Sequence, residues 1–379
     1  MKTSAFELPL EGYKVANSAQ IVTPALLVFH EVLLANISKM VSMIASPDQL
    51  RPHCKTHKMP AVIELLLQAG IRKHKAATFA EAEMLADAGV SDIFLAYNLV
   101  GPNMARAAAF QEAFPDTSLA ITGDDEQALR DLAAVMAARD RSIQVLIDID
   151  TGQHRTGLPC GETAQALYQM VVETPGLEPG GLHLYDGHNH QTDIAARRSA
   201  VLAGWETTRE FARGLLDRGL PVPRIVAGGT GSFPVFTEVD DPLLELSPGT
   251  CIFHDVGYGQ MFPDLQFQPA ALLLTRVISR PTVNRVTLDL GYKAVASDPP
   301  AEHRVVIPQL PDAEIVLQNE EHLVIETSHA ADYAPGDELL AVPRHICPTS
   351  ALHKQAFLVR EGRYVEDWPV AARDRWLTV

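Results

Sequence analysis

The sequence is short of cysteine and of long apolar runs. Its four cysteines, Cys54, Cys160, Cys251 and Cys347, are scattered and form no C-x-x-C pair. That spacing argues against a disulfide framework, and for three of them a buried small apolar residue is reading enough. No stretch reaches the roughly 20 apolar residues that a membrane-spanning helix needs. The N-terminal MKTSAFELPLEGYKV has no continuous apolar segment followed by a small-residue cleavage site, so a reducing cytoplasm is the expected location. Basic residues are in deficit too, 31 against 47 carboxylates, for a formal charge of −16. That sign repels phosphate backbones and anionic lipid surfaces, so neither nucleic acid nor membrane is an expected partner. Internal repeats and low-complexity tracts are absent.

What is present is a chain of 379 residues with 47% hydrophobic side chains, enough for two domains with ordinary cores. From about residue 50 to 265, short apolar or β-branched runs alternate with amphipathic stretches. The runs at 51–57, 75–78, 93–98, 118–122, 144–150, 180–186, 224–229 and 246–253 read as eight strands. The stretches between most of them, such as AVIELLLQAG and AEAEMLADAG, carry helical spacing and end at Gly70 and Gly89. Eight strands separated by helices pair in parallel with right-handed crossovers. A (β/α)8 barrel over 31–264 is the economical fold, and an open doubly wound sheet is the competing one. After 265 the runs read as strands with Gly, Pro and Asp punctuation, predicting an all-β domain over 265–379. The strand PALLVF at 24–29, within an N-terminal segment of residues 1–30, is expected to pair into that second domain.

Several clusters carry potential chemistry. In RPHCKTHK (51–58), alternation puts His53, Lys55 and His57 on one strand face. If that face lines the barrel, burial makes Lys55 a Schiff-base nucleophile; otherwise it is a solvated lysine. DIDTGQHRTG (148–157) puts Arg155 just past a strand end, where barrel active sites lie, unless Arg155 is only a surface residue of a glycine turn. The glycine-rich VAGGTGSFP offers backbone N–H groups of Gly228, Gly229, Thr230, Gly231 and Ser232 to a phosphate. Gly249 and Thr250, one strand later, form a second set, and the Tyr258 hydroxyl can reach the same anion. In YDGHNH, Asp186, His188 and His190 share one parity and can complete a metal shell or supply a general base, His188 before His190. VPRHICPTSALH offers His345 and Cys347 at i, i+2 on a strand face, a spacing that suits one metal ion or, equally, a buried thiol beside a capped histidine. Glu321 and His322 are polar residues of lower rank.

R-P-H-x-K-T-H-K followed by A-T-x-x-E-A-E-x-L-x-x-x-G (Ala77 to Gly89) resembles the start of the D-threonine aldolase and D-serine dehydratase family. The likeness extends over nearly the whole chain. It implies an alanine-racemase-like fold, a pyridoxal 5′-phosphate barrel plus a β domain, in a homodimer. It makes Lys55 the lysine that binds the cofactor and Arg155 the contact to its phenolic oxygen. One departure concerns the racemases, which set an arginine against the pyridine nitrogen where this chain has Ser247-Pro248-Gly249. The family's metal ligands are a histidine and a residue two positions on, matching His345 and Cys347. A thiolate there favours zinc over manganese. The implied activity is a lyase on D-β-hydroxy-α-amino acids, most simply retro-aldol cleavage to glycine and an aldehyde. Dehydration to a 2-oxo acid is the alternative, and a racemase or a non-catalytic cofactor carrier stands further off.

Overall fold

The structure is a computed structural model that describes Phe6 and residues 8–379. Contacts divide the chain into two compact units, one holding residues 41–55, 63–249 and 375–379, the other the remainder up to 374. The chain therefore changes unit several times, and the division does not run at 264/265. The segment from 250 to 264 belongs with the second unit, and the last five residues return to the first, where Thr378 donates through N and Oγ1 to Glu83 at 2.7 Å each.

The first unit is built on seven parallel strands: Lys73–Ala76, Asp92–Asn98, Ser118–Gly123, Ile143–Ile149, Leu177–Leu184, Ile225–Ala227 and Leu244–Leu246. The first expected strand, 51–57, is not one. Leu50 bridges to Leu246 and His53 to Lys75, and the backbone then turns into a 3-10 helix over Cys54–Thr56. Pro52 has no N–H, so this stave is held by Arg51 N to Leu246 O, His53 N to Pro248 O and Pro52 O receiving Lys75 N, at 2.8, 2.9 and 2.9 Å. The last expected strand, 246–253, likewise lies earlier, at Leu244–Leu246, and Thr250–Ile252 is a 3-10 turn. Helices start at side-chain caps: Thr78, Asp125 and Asp193 accept from the backbone N–H three residues on. Phe94, Ala120, Leu146 and Val226 form a buried cluster on the inward strand face.

Near the strand starts an ion network ties the closing stave to its neighbours. The fully buried Arg51 guanidinium donates to Glu245 at 2.6 Å and to both Asp92 oxygens at 2.7 and 3.0 Å. Lys73 reaches Glu245 at 2.7 Å, and Arg224 lies 3.6 Å from Asp92.

The second unit is a nine-stranded, mostly antiparallel sheet in the order Glu314–Gln318, Leu323–Glu326, Arg285–Leu288, Ala271–Thr282, Ala25–Phe29, Gln355–Arg360, Arg363–Pro369. Glu338–Pro343 pairs onto Ala271–Thr282 and onto Val305–Val306. Ala25–Phe29 sits centrally, antiparallel to Ala271–Thr282 and parallel to Gln355–Arg360. Leu27, Phe29, Leu272, Leu274, Leu340 and Val359 pack its core. The unit is not purely β, because helix Ile346–Leu352 follows directly on strand Glu338–Pro343.

Candidate active site and metal centre

The site in the first unit is assembled at the strand ends, around the ring of Tyr185. Lys55 Nζ lies 5.8 Å from the ring centroid, Arg155 Cζ 4.9 Å and Lys75 Nζ 5.7 Å. Lys55 owes its place to the 3-10 turn and not to strand alternation: its N–H donates to His53 Nδ1 at 3.3 Å, so parity does not govern His53, Lys55 and His57. His57 belongs to the second unit, packed edge-on against Phe253. Cys54 and Glu81 join His53 in a cluster whose donor atoms lie within 4.8 Å of one another. Glu81 Oε2, however, already accepts from Ala77 N at 2.6 Å and faces the Cys54 thiol at 3.7 Å. These bonds fix the turn that presents Lys55.

Arg155 is carried by a tightly braced turn. Gly157 N donates to Asp124 at 2.7 Å, while Gly152 N and His154 N donate to Asp150 at 2.9 and 3.1 Å. Gly157 adopts φ +95°, and a Cβ there would come to 3.0 Å of the Asp148 carbonyl oxygen. Gly152, at φ +130°, leaves room for His188, whose Nε2 would be 3.2 Å from an added Cβ.

The expected shared face of Asp186, His188 and His190 does not exist, because the strand ends at Leu184 and alternation ends with it. Asp186 is buried, accepting from Ser232 Oγ at 2.8 Å; His188 is half-buried; His190 is exposed. Burial raises the Asp186 carboxyl above its ordinary range, and its Oδ2 is buried with no hydrogen-bond partner. The glycine turn lies beside it: Gly229 N donates to Ser232 Oγ at 3.1 Å, and a Cβ on Gly229 would meet the Tyr185 ring at 3.1 Å. Thr230 Oγ1 accepts from Gly249 N at 3.2 Å, bringing the two glycine-rich segments together, with Gly231 between Thr230 and Ser232. Ser247 donates to the Arg51 carbonyl at 3.0 Å.

Sequence reasoning missed a deeply buried polar group here. Lys75, His183 and Asp148 are 3, 3 and 6% exposed. Lys75 Nζ is 2.8 Å from His183 Nε2, His183 Nδ1 is 2.7 Å from Asp148 Oδ1, and Thr156 Oγ1 donates to Asp148 Oδ2 at 2.7 Å. Asp148 and His183 are register partners on neighbouring strands, and the His183 ring packs edge-on to Phe94. Charged residues inside apolar strand runs, as in VLIDI and GLHLY, were the available signal.

In the second unit, His345 and Cys347 are not on a strand. Pro343 ends the strand, His345 takes the N-cap position of helix Ile346–Leu352, and Cys347 lies in the first turn. They still meet, hydrogen-bonded side chain to side chain. Asp298 Oδ2 holds His345 Nδ1 at 2.6 Å, which leaves Nε2 as the ring nitrogen that an ion would take. The hydroxyls of Thr56 and Thr250 approach Cys347 Sγ at 3.2 and 3.4 Å. Burial opposes protonation of His345, but Cys347 and Asp298 outweigh it and raise the imidazole to about 9. Asp255 braces helix Ile346–Leu352 and the short helix Val256–Met261, accepting from Ile346 N at 3.0 Å and Tyr258 N at 2.9 Å. Tyr258 thus lies, like Thr250, in the second unit.

Residues 30–255 match the alanine racemase N-terminal domain family, and residues 270–359 match a putative serine dehydratase domain. The D-threonine aldolase of Arthrobacter sp. is 30% identical over 94% of this chain and 93% of its own length. The chain belongs to the D-threonine aldolase and D-serine dehydratase family. Its fold agrees: the crystal structure of D-threonine aldolase from Filomicrobium marinum superposes with a TM-score of 0.86 at 29% identity, covering 94% of this chain and 96% of that one. The D-threo-3-hydroxyaspartate dehydratase of Delftia sp. is 25% identical over 87% of this chain and 92% of its own length. The family therefore includes both aldolases and dehydratases. Its members use pyridoxal phosphate and a divalent metal.

Proposed function

We propose that this chain is a pyridoxal-phosphate- and metal-dependent lyase that cleaves D-β-hydroxy-α-amino acids to glycine and an aldehyde. The observation that carries this reading is the convergence of Lys55 and Arg155 on the Tyr185 ring at the strand ends of a parallel barrel. The residues present fit the cofactor. An amine and a guanidinium flank a flat aromatic face, a glycine turn leaves no Cβ against that face, and a buried carboxylate oxygen of Asp186 lacks a donor. The donor set of His345 and Cys347 fits a divalent ion of zinc character, with manganese the harder alternative.

When bound, pyridoxal phosphate supplies an electron sink at the substrate's α-carbon, and the ion supplies a Lewis acid for a hydroxyl. The chain's own side chains do the rest. Lys55 Nζ offers the nucleophilic amine, the Arg155 guanidinium stabilises an oxyanion, and the N–H groups of Thr230, Gly231 and Ser232 bind phosphate, since Gly228 N and Gly229 N already donate to Leu184 O and Ser232 Oγ at 2.9 and 3.1 Å. His188 is the base that takes the β-hydroxyl proton. It is half-buried, and its Nδ1 has no partner, whereas His190 is exposed to water.

Dehydration is the second reading. The observation that favours it is that a Delftia sp. D-threo-3-hydroxyaspartate dehydratase is related over 87% of this chain and 92% of its own length. No helix among the described residues is long and apolar enough to cross a membrane; four free cysteines support a reducing, cytoplasmic location, and the family likeness supports a homodimer. Incubation with D-threonine and D-serine tests the assignment. Glycine and acetaldehyde from D-threonine are expected; 2-oxo acid and ammonia instead move the chain to the dehydratases, and no turnover of either overturns the lyase reading.

A further inference from the structure

Lys75 is an amine in an unusual setting: inside a barrel, beside other cations, with a neutral acceptor as its hydrogen-bond partner. Asp148 receives Thr156 Oγ1 on one oxygen and His183 Nδ1 on the other. Burial pushes the Asp148 carboxyl up, but His183 and Thr156 bring it below its ordinary range, so it is the ionised member. Burial and the Lys75 charge hold His183 down at about 4, so the imidazole is neutral. The proton on Nδ1 is spent on Asp148, which leaves a lone pair on Nε2 facing Lys75 Nζ at 2.8 Å. Lys75 donates one proton to that lone pair whether it carries three protons or two. The chain from Lys75 to Asp148 therefore survives the loss of a proton from Lys75 with its geometry unchanged.

The groups facing Lys75 are the cations Lys55 and Arg155, the carboxylates Asp148 and Asp186, and the rings of Tyr185 and Phe94. Lys55 Nζ and Lys75 Nζ sit at nearly the same distance from the Tyr185 ring, 5.8 and 5.7 Å. A like charge beside a lysine favours its neutral, nucleophilic form. A structural lysine in so dry a position would be expected to face a carboxylate directly; this one faces an imidazole that cannot neutralise it.

We infer that Lys75, seated by His183 and Asp148, is a positioning residue for the reaction: a second amine whose charge governs the ionisation of the cofactor bound at Lys55. This rests on the proposed binding of pyridoxal phosphate to Lys55. Burial first, and then Lys55, lowers Lys75 to about 7, so its charge changes near neutral pH.

The test is a pH titration of the visible absorbance of the holoprotein, with kcat/KM followed over the same range, for wild type, Lys75→Met and Lys75→Arg. Lys75→Met removes the charge in a side chain of similar length. Its absorbance midpoint is expected to move up by about one pH unit, the effect of a unit charge roughly 10 Å away at an effective dielectric near 20. Lys75→Arg keeps a permanent cation, so the limb of the rate profile near pH 7 should disappear while the cofactor stays bound. Should Lys75→Met fail to fold, the arginine variant decides alone. Borohydride trapping at Lys55 together with wild-type midpoints and rate limbs in the folded variants overturns the inference and leaves the cofactor reading standing. Trapping at no lysine overturns both.

Discussion

Near the strand starts of the barrel, Arg51 meets Asp92 and Glu245, with Lys73 and Arg224 joining from the flanks, so each charge has an opposite partner. Near the strand ends, Lys55, Lys75 and Arg155 gather round Tyr185, with only Asp148 and Asp186 among them. One cluster is closed: Arg51, Lys73 and Arg224 each lie within 4.0 Å of a carboxylate. The other holds the same number of cations and carboxylates but is open: Lys75 faces the neutral His183, Lys55 and Arg155 face the Tyr185 ring, and Asp186 Oδ2 has no hydrogen-bond partner. A folded protein keeps charges apart from their counter-charges when a ligand pairs with them, and an anionic phosphate of the kind proposed here would do so. Closure marks the end that holds the barrel together, and open charges mark the end that binds.

The largest effect should come from breaking the open cluster. Lys55→Ala is expected to abolish both the visible absorbance and turnover while the fold remains, since Lys55 ties nothing structural. Borohydride reduction and peptide mapping of the wild type should place the modification on Lys55. A modified Lys58 would sink the assignment, and an unfolded Lys55→Ala protein would erase the contrast between the two ends.

Breaking the closed cluster should do the reverse. Arg51→Ala leaves Asp92 and Glu245 without their shared cation and should destabilise the fold by about 3–5 kcal/mol. Denaturant melts measure this, and surviving protein should still bind cofactor. Burial pushes both carboxyls up, but Arg51 outweighs it and holds both below their ordinary range. A depressed carboxylate contributes stability that is present above the unfolded value near 4 and is lost as pH falls through the folded one. Wild type should therefore lose stability below about pH 4, and Arg51→Ala should show a flatter dependence there. An unchanged acid limb would mean the network is not the staple.

The alternation of strands and helices was legible because most strands are runs of apolar residues bounded by breakers, Lys73–Ala76 being an exception. Lys55 and Arg155 were legible through their motifs. The closing stave was not, because one bridge at Leu50 and one at His53 leave no pattern of period two, and Pro52 interrupts the backbone donors. Parity failed at Asp186, His188 and His190 for a related reason: counting by twos ran on past the last strand residue, Leu184. At His345 the signal was present but read for the wrong element. Pro343 ends a strand, and Pro348 lies just inside a helix start, a position proline favours. Lys75, His183 and Asp148 were passed over because single polar residues in apolar runs have no motif. Their burial, visible only in three dimensions, is what sets them apart.

The same contrast between closed and open groups sharpens the metal site, with the smallest expected effect. His345 has one closed face, where Asp298 binds Nδ1, and one open face toward Cys347. Fixing the tautomer through Nδ1 directs the Nε2 lone pair at the ion, so Asp298 should orient the ligand without being one. Asp298→Asn should weaken metal affinity roughly 10–100-fold, measured by competition with a chromogenic chelator, while the visible absorbance is unaltered. Cys347→Ala and His345→Ala should weaken it further, and Cys160→Ala and Cys251→Ala not at all. Because both ligands must lose protons to bind, retention of the ion should fall as pH drops below the raised value of His345 near 9. Wild-type affinity in Asp298→Asn would show that the carboxylate only bonds the ring in the absence of metal. Full turnover after exhaustive chelation, with elemental analysis showing no metal, would remove the ion from the mechanism and turn the assignment toward a racemase or a cofactor carrier.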